Sequence, residues 1–387
     1  MRFGINRNVW AMGWTSLVND AASELLYPVL PLFLTVTLGA PAAVVGLVEG
    51  AAGATSQMVG YVVGRHSDRI RRRLPYVWTG YTMSNIAKPL VALAPAWGWV
   101  LGARVLDRAG KGVRTSPRDA LLRDSGDPRR TGHVFGFHRF MDSAGATIGP
   151  LLALALLAAG LSLRQVIAVS VVPAFATMLA LRRVREARER PSGRVAAATA
   201  QAAPLRSLGR RFWLLTSAWV VFSLGNSADA FLLLRAHGLG LSTTAVVLAY
   251  AVENTLYSGL SWPLGHLSDR VGKRLLLGSG LVAFAVVYAG FGLATSGALV
   301  WPLMAVYGSY LAATDGVARA LVSDITPSSL RATALGTFQL ATGGSEVIAS
   351  IAAGILWTTV APRSVFVLGA GAAALGLVAL VVSTRRG

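Results

Sequence analysis

The sequence predicts an all-α integral membrane protein with twelve transmembrane helices arranged as two pseudo-symmetric six-helix bundles. Three observations carry that expectation. Of 387 residues, 54% are hydrophobic and 14% charged, with a mean hydropathy of +0.56, which leaves too little polar surface for a soluble domain of useful size. Apolar windows of about 20 residues, the length that crosses a bilayer, recur along the whole chain between short polar breaks. Two near-copies of one loop motif, Gly64-Arg65-His66-Ser67-Asp68-Arg69 and Gly265-His266-Leu267-Ser268-Asp269-Arg270, lie 201 residues apart.

The windows place six spans at 10–37, 42–63, 75–94, 97–121, 133–159 and 163–182, and six more at 211–236, 242–264, 275–294, 298–323, 332–358 and 363–383. The first is longer than a signal-peptide core and carries Asp20 and Glu24, so it reads as a retained helix. The fourth is the most charged, with Arg104, Asp107, Arg108, Lys111 and Arg114 at three- and four-residue intervals. Pro117 predicts a kink or an early end there. Between the sixth and seventh spans lies the only long polar stretch, rich in Arg, Ala, Pro and Ser. It divides an N-terminal bundle, 1–182, from a C-terminal bundle, 211–387, through a cytoplasmic linker, 183–210.

The net charge of +19 would suggest nucleic acid in a soluble protein, but here the basic residues fall on alternate loops, as the positive-inside rule expects. Arg65, Arg69, Arg71, Arg72 and Arg73 follow the second span, and Arg123, Arg129 and Arg130 the fourth. The opposite loops carry only Arg164, Arg235 and Arg363. Both termini are therefore expected in the cytoplasm, the chain lying as a monomer in the inner membrane of a prokaryote with the lipid bilayer, not nucleic acid, as its surroundings. There is no cysteine, and the five histidines show no metal-ligand spacing, so no metal, cofactor or enzymatic centre is expected. Gly110 and Gly112 flank Lys111 as in a phosphate-cradling loop, but no strand precedes them and the rest of that motif is missing.

Internal similarity extends beyond the loops. Ser16 to Asp20 in the first span faces Ser223 to Ser227 in the seventh, each followed by a carboxylate, Glu24 or Asp229, while the second and eighth spans hold Glu49 and Glu253. Gly112 to Asp119 can be laid against Gly316 to Asp324. Parallel six-span repeats are a recurring transporter architecture with the substrate site near mid-membrane.

With twelve spans, a central linker and paired loops, the chain resembles the major facilitator superfamily, whose loop motif reads G-x-x-x-D-R/K-x-G-R/K-R/K. The second copy, Gly265 to Arg274, fits throughout; the first fits at Gly64, Asp68, Arg69, Arg72 and Arg73 but has Arg71 where glycine is usual. The resemblance implies a conformational latch of Gly64, Asp68, Arg69, Arg72 and Asp119 with Gly265, Asp269, Arg270, Lys273 and Asp324. In it, Asp119 or Asp124 would pair with Arg69 or Arg72, and Asp324 with Arg270, the glycines allowing close helix approach. The competing reading is that the arginines only enforce topology. Gly136, Gly145, Gly149 and Pro150 resemble the fifth-span glycine pattern of the superfamily's proton-coupled exporters, although Leu151 and Leu152 stand where that pattern continues with glycine. Small residues at this spacing also serve plain helix packing.

Buried charge is where function should reside, because each costs on the order of 2.5–3.5 kcal/mol at a helix centre. Nine of the seventeen acidic residues fall inside the spans, besides Asp119 at the cytoplasmic end of the fourth. Asp20 and Glu24 share one helical face and, with Glu49, Asp107, Arg108 and Asp142, are candidates for proton coupling. Asn19, Lys88, Arg104, Lys111, Arg114, His138 and Arg139 are cavity candidates in the first half. In the second half they are Asn226, Asp229, Glu253, Asn254, Tyr307, Tyr310, Asp315, Arg319, Gln339 and Glu346, with Trp219, Trp262 and Phe338 as apolar walls. Three readings compete: a proton-coupled exporter of small organic molecules or drugs, a transporter of an organic anion such as a carboxylate, phosphate ester or siderophore-like chelate, and a non-transporting membrane sensor.

Overall fold

The computed structural model describes residues 6–70, 72–125, 131–186, 205–326 and 330–385; the side chains at 64, 65, 68–70, 123, 131–133, 135, 136, 205, 206, 262, 269, 331–333 and 383–385 lie outside the description. Among the described residues the chain is helical throughout, without a strand. Contacts divide it into two compact units, Met1–Arg188 with Leu241–Ala251, and Glu189–Gly240 with Val252–Gly387. Residues 241–251, which the sequence division puts in the second bundle, thus cluster with the first, where Tyr250 meets Glu24 and Tyr27. Most of the expected linker lies outside the described residues.

In the first unit the helices are α1 (Arg7–Leu26), α2 (Leu30–Leu32), α3 (Ala42–Ile70), α4 (Leu74–Ala92), α5 (Trp97–Ser125), α6 (Thr131–Ala158), α7 (Leu163–Val169) and α8 (Val171–Leu181). The first expected span is one path with two changes of winding. Pro28, which lacks an N–H, ends α1 at Leu26, and Phe33–Thr37 continues α2 as a π-helical turn. Pro173 likewise divides the sixth span, its missing N–H freeing the acceptor four residues back, so α7 stops at Val169 and α8 starts at Val171. Pro117 has no such effect: α5 runs on to Ser125, so the early end expected at Pro117 does not occur.

The second unit holds α9 (Gly209–Ser223), α10 (Ala230–Gly238), most of α11 (Thr243–Val271), α12 (Lys273–Leu293), α13 (Val300–Ile325), α14 (Arg331–Thr359) and α15 (Pro362–Arg385). The seventh span, drawn as one helix, is broken over 224–229 by a run of Gly, Asn, Ser and Asp that favours local hydrogen bonding over helix. One N–H freed by the break, that of Ala228, donates to Ser350 Oγ at 3.1 Å. Seven stretches are long and apolar enough by themselves to cross a membrane: Arg7–Thr37, Ala42–Val63, Phe137–Ala158, Leu163–Leu181, Lys273–Leu293, Ala334–Thr359 and Pro362–Val382. Charge keeps α5 off that roster, and the break keeps α9 and α10 off it.

The two units repeat one packing plan internally. In the first, α1 packs on α6 and α8, and α4 on α5 and α8; in the second, α9 packs on α14 and α15, and α12 on α13 and α15. Glycines set the closest contacts. A Cβ at Gly110 would lie 2.8 Å from Ser84 N on α4, and one at Gly112 would lie 2.8 Å from the Ser56 carbonyl on α3. The Gly-Lys-Gly run is therefore a two-sided docking surface that seats α5 between α3 and α4. Gly145 backs onto the Leu17 carbonyl, and a Cβ at Gly149 would lie 2.7 Å from the Ala21 carbonyl, so this pair serves packing of α6 on α1. At Gly265, by contrast, nothing among the described residues lies within 4 Å, so the close approach expected at that motif glycine is not found.

Two basic residues on the expected outer loops close helix ends. Arg164 Nη1 donates to the carbonyls of Ala92 at 2.7 Å and Ala94 at 3.0 Å, beyond α4. Arg235 donates through Nε to Phe291 at 3.1 Å and through Nη2 to Ala294 at 2.9 Å, beyond α12. A cation at a helix C-terminus satisfies orphan carbonyls and meets the negative end of the dipole. At the other end of α4, Glu186 accepts the N–H groups of Arg73 at 3.1 Å and Leu74 at 2.9 Å.

Gly110→Leu should lower stability by about 1–3 kcal/mol, because the side chain has only helix backbone to displace. Gly316→Ala, with nothing within 4 Å, should be neutral or stabilise by up to about 1 kcal/mol. Thermal unfolding of both variants in detergent checks the opposite signs.

Candidate functional site

In the first unit the buried charge gathers around α5. Arg104, 4% exposed, donates through Nη2 to both oxygens of Glu49 on α3, at 2.8 and 3.1 Å, and through Nη1 to Asp107 at 3.2 Å. Asp107 also faces Arg108, at 4.0 Å. About two turns further on, Arg114 lies 4.7 Å over the ring of Tyr81 and donates to Ser84 Oγ at 2.5 Å; that hydroxyl in turn donates to the Asp107 carbonyl at 2.9 Å. Lys88, 3% exposed, donates to the Ser84 carbonyl and Asn85 Oδ1, both at 3.3 Å. Lys111 and Arg139 stand exposed.

Along α1 a polar stripe follows the helical repeat. Ser16 Oγ donates to Asp142 on α6, whose other oxygen lies 3.5 Å from His138 Nδ1. Arg118 reaches Ser16 Oγ at 3.4 Å and pairs with Asp119 at 3.0 Å. Next come Asn19, donating to Asp20 at 3.1 Å, and Glu24, which accepts the Tyr250 hydroxyl at 2.9 Å. The candidates Asp20, Glu24 and Asp142 thus share one stripe, while Glu49, Asp107 and Arg108 belong to the ion network on α5.

In the second unit the expected cavity set separates. Tyr307 and Tyr310, 1% and 3% exposed, are core: with Phe222, Phe284 and Tyr288 they form an aromatic cluster in which Phe284 and Tyr288 stack at 3.9 Å. Their size and apolar rings, not their hydroxyls, decided their place, although the Tyr307 hydroxyl still donates to Asp229 at 2.6 Å. Trp219 and Phe338 extend this cluster, and Trp262 lies outside the described side chains. Glu253 is buried beside Asn254, which donates to it at 3.2 Å. Asp315 accepts from Tyr257 at 2.8 Å and Arg319 at 2.7 Å. Asn226 is half-buried, and Gln339 and Glu346 are exposed.

The latch candidates are placed only in part, since Gly64, Asp68, Arg69 and Asp269 fall outside the described side chains. Among the described side chains, the aspartates of the latch set have three basic partners. Asp124 takes Arg73, Asp324 takes Lys273 at 2.8 Å in place of Arg270, and Asp119 takes Arg118 of its own helix. The reason is position: Arg73 and Lys273 stand where α4 and α12 begin, beside the last turns of α5 and α13, which carry the two aspartates. Arg72 is exposed, and Gly136 lies among the undescribed side chains. No group of His, Asp and Glu among the described residues could hold a metal ion.

A polytopic helical chain with paired loop motifs and a repeated packing plan can be tested against known families, and the family model described as Major Facilitator Superfamily matches residues 12–309 and 230–387. The chain belongs to the major facilitator superfamily. An uncharacterised MFS-type transporter of Methanocaldococcus jannaschii is 32% identical over 94% of this chain and 92% of its own length. The multidrug resistance protein MdtH of Photorhabdus laumondii is 30% identical over 33% of this chain and 32% of its own. Among solved structures, a variant of the peptide transporter POT superposes with a TM-score of 0.81 over 100% of this chain and 96% of that one, at 14% identity, a likeness of fold. As a superfamily member the chain is a multi-pass membrane transporter, of a family whose members are typically not enzymes.

Sequence reasoning missed Ser84, Arg118, Tyr250 and Tyr257. Ser84 and Arg118 each lie four residues from a noted base, Lys88 or Arg114, and helical spacing alone could have found them. The tyrosines leave no local signal, because their partners are distant in sequence.

Glu49→Gln should destabilise strongly, toward about 3 kcal/mol, by leaving the Arg104 guanidinium half-matched in the interior. Combined with Arg104→Met, the double-mutant cycle should return a coupling of about 0.5–3 kcal/mol, read by thermal unfolding in detergent.

Proposed function

We propose that the protein is a proton-coupled secondary transporter that exports small organic molecules across the cytoplasmic membrane, both termini lying on the cytoplasmic side. The observation that carries the reading is the partnering of Asp20 and Glu24. Among the described residues, neither has a cation within 4 Å; their hydrogen-bond donors are the neutral Asn19 and Tyr250, while Arg114, Arg118 and Lys111 face Asp20, and Arg108 and Lys111 face Glu24, without an ion pair in contact. A carboxylate with only neutral donors can gain and lose a proton without breaking an ion pair. Protonation of either then changes the charge balance against α5, and the two halves alternate access around the substrate. The export direction draws support from the fifth-span glycine run and from similarity over a third of the chain to a multidrug resistance protein.

One set of contacts favours an organic anion as the transported species. Lys88 and Arg114, both nearly fully buried, have no carboxylate within 4 Å among the described residues, and Lys111 and Arg139 are exposed on neighbouring helices. Such a surplus of base suits an acidic solute.

A thermal-shift screen of lipophilic cations and organic anions at two pH values, followed by flux of the best ligand into proteoliposomes under an imposed pH gradient, separates these readings. Asp20→Asn and Glu24→Gln should each remove gradient-driven transport; flux with unchanged pH dependence in both variants would sink proton coupling through these residues. Asp68→Asn and Asp269→Asn should slow turnover while leaving equilibrium binding nearly intact, and loss of binding would count against a latch role.

A further inference from the structure

A small pocket in the first unit lies against Lys88 and Ala87 of α4, Arg104 and Asp107 of α5, and Ser23 of α1. Its volume is about 10 Å³, room for about one water-sized particle. The unmet polar groups that α4 and α5 bring to it are donors, while one turn back from Ser23 on α1 the Asn19 Oδ1 is an unmet acceptor. Lys88 has three N–H groups and only two acceptors, both neutral and both at 3.3 Å. Arg104 Nε, on a wall of the pocket, is buried without an acceptor, and so is Nδ2 of Asn85, the residue whose oxygen Lys88 holds.

The surrounding charges leave Lys88 without a counter-ion in contact. Those facing Lys88 are Asp107, Arg104 and Arg114 from α5 and Asp20 from α1. Glu49 pairs with Arg104 and Arg108 faces Asp107, and the network runs on through Arg108 to Glu24 and through Asp20 to Lys111, Arg118 and Asp142. Arg104 is matched in contact by Glu49 and Asp107, whereas Lys88 and Arg114 have only neutral partners and no carboxylate within 4 Å among the described residues. Asp107 does not bar a negative guest, since its Oδ2 already accepts from Arg104 at 3.2 Å and faces Arg108. Water would satisfy the donors and leave Lys88 without a counter-charge in contact; an anion satisfies the donors and supplies that charge.

We propose that this pocket binds one compact monovalent anion, held by Lys88 and Arg104. Two sources share that chemistry, a free halide and the acid group of a small carboxylate substrate. The site goes beyond proton coupling at Asp20 and Glu24 and does not depend on it.

The test is the thermal midpoint of the detergent-purified full chain, moved from gluconate, too large for the pocket, into chloride, bromide or formate at constant ionic strength. A saturable rise with chloride and bromide that disappears in Lys88→Met and persists in Lys111→Met assigns the site to a halide. A rise with formate alone, with the same dependence on Lys88, assigns it to the carboxylate of a substrate. A shift unchanged in Lys88→Met, or no saturable shift with any of the three ions, overturns the proposal. If Lys88→Met yields no folded protein, Ala87→Leu fills the pocket without altering its charge and should abolish the shift; chloride NMR line broadening of the wild type, competed by bromide, reads the same site without a variant.

Discussion

Charge buried in an apolar surround governs the first half of this molecule. A lone ion there costs several kcal/mol, so a helix that carries Arg104, Asp107, Arg108, Lys111, Arg114 and Arg118 can exist only if its neighbours bring counter-charges and acceptors within contact range. Glycine makes that possible. Gly110 and Gly112 let the backbones of α4 and α3 come close enough for Ser84 to meet Arg114 and for Glu49 to reach Arg104. Packing and electrostatics are thus one constraint: a side chain at either glycine would part the helices and leave guanidinium groups unmatched.

The second unit uses the same frame with different contents. Its third span packs on its fourth and sixth, as in the first unit, yet the centre holds stacked rings in place of ion pairs. An aromatic core costs little to bury and needs few satisfied polar atoms. Among the described residues the buried ion pairs are therefore concentrated in one half, while the other sets Asp229, Glu253 and the Asp315–Arg319 pair around an aromatic core.

The twelve spans and the two-half division of the chain were legible because hydrocarbon imposes a length of apolar sequence and because the loop motif repeats. Helix interruptions were legible in principle at Pro28 and Pro173, where the missing N–H acts locally, but Pro117 shows that the residue type alone does not decide. Arg164 and Arg235 stood out as exceptions to the charge pattern, and their role as helix-end caps depends on carbonyls some sixty or seventy residues away. The same distance hid Tyr250 from Glu24. Composition placed Tyr307 and Tyr310 in a cavity because tyrosine is amphipathic; in the fold their rings found aromatic partners and the hydroxyl of Tyr307 a carboxylate.

On the proposed reading, the same arithmetic separates carboxylates that hold structure from those that carry protons. Glu49 and Asp107 share one guanidinium, so removing the charge of either frustrates a buried arginine and is opposed by the whole helix packing. Asp20 and Glu24 sit on α1, whose close backbone contact is with α6 through Gly145 and Gly149, and they receive only neutral donors. Changing their charge breaks no ion pair in contact. Proton exchange is thereby confined to α1, where it can shift the balance against the fixed bases of α5 without dismantling the network that keeps α5 in the membrane.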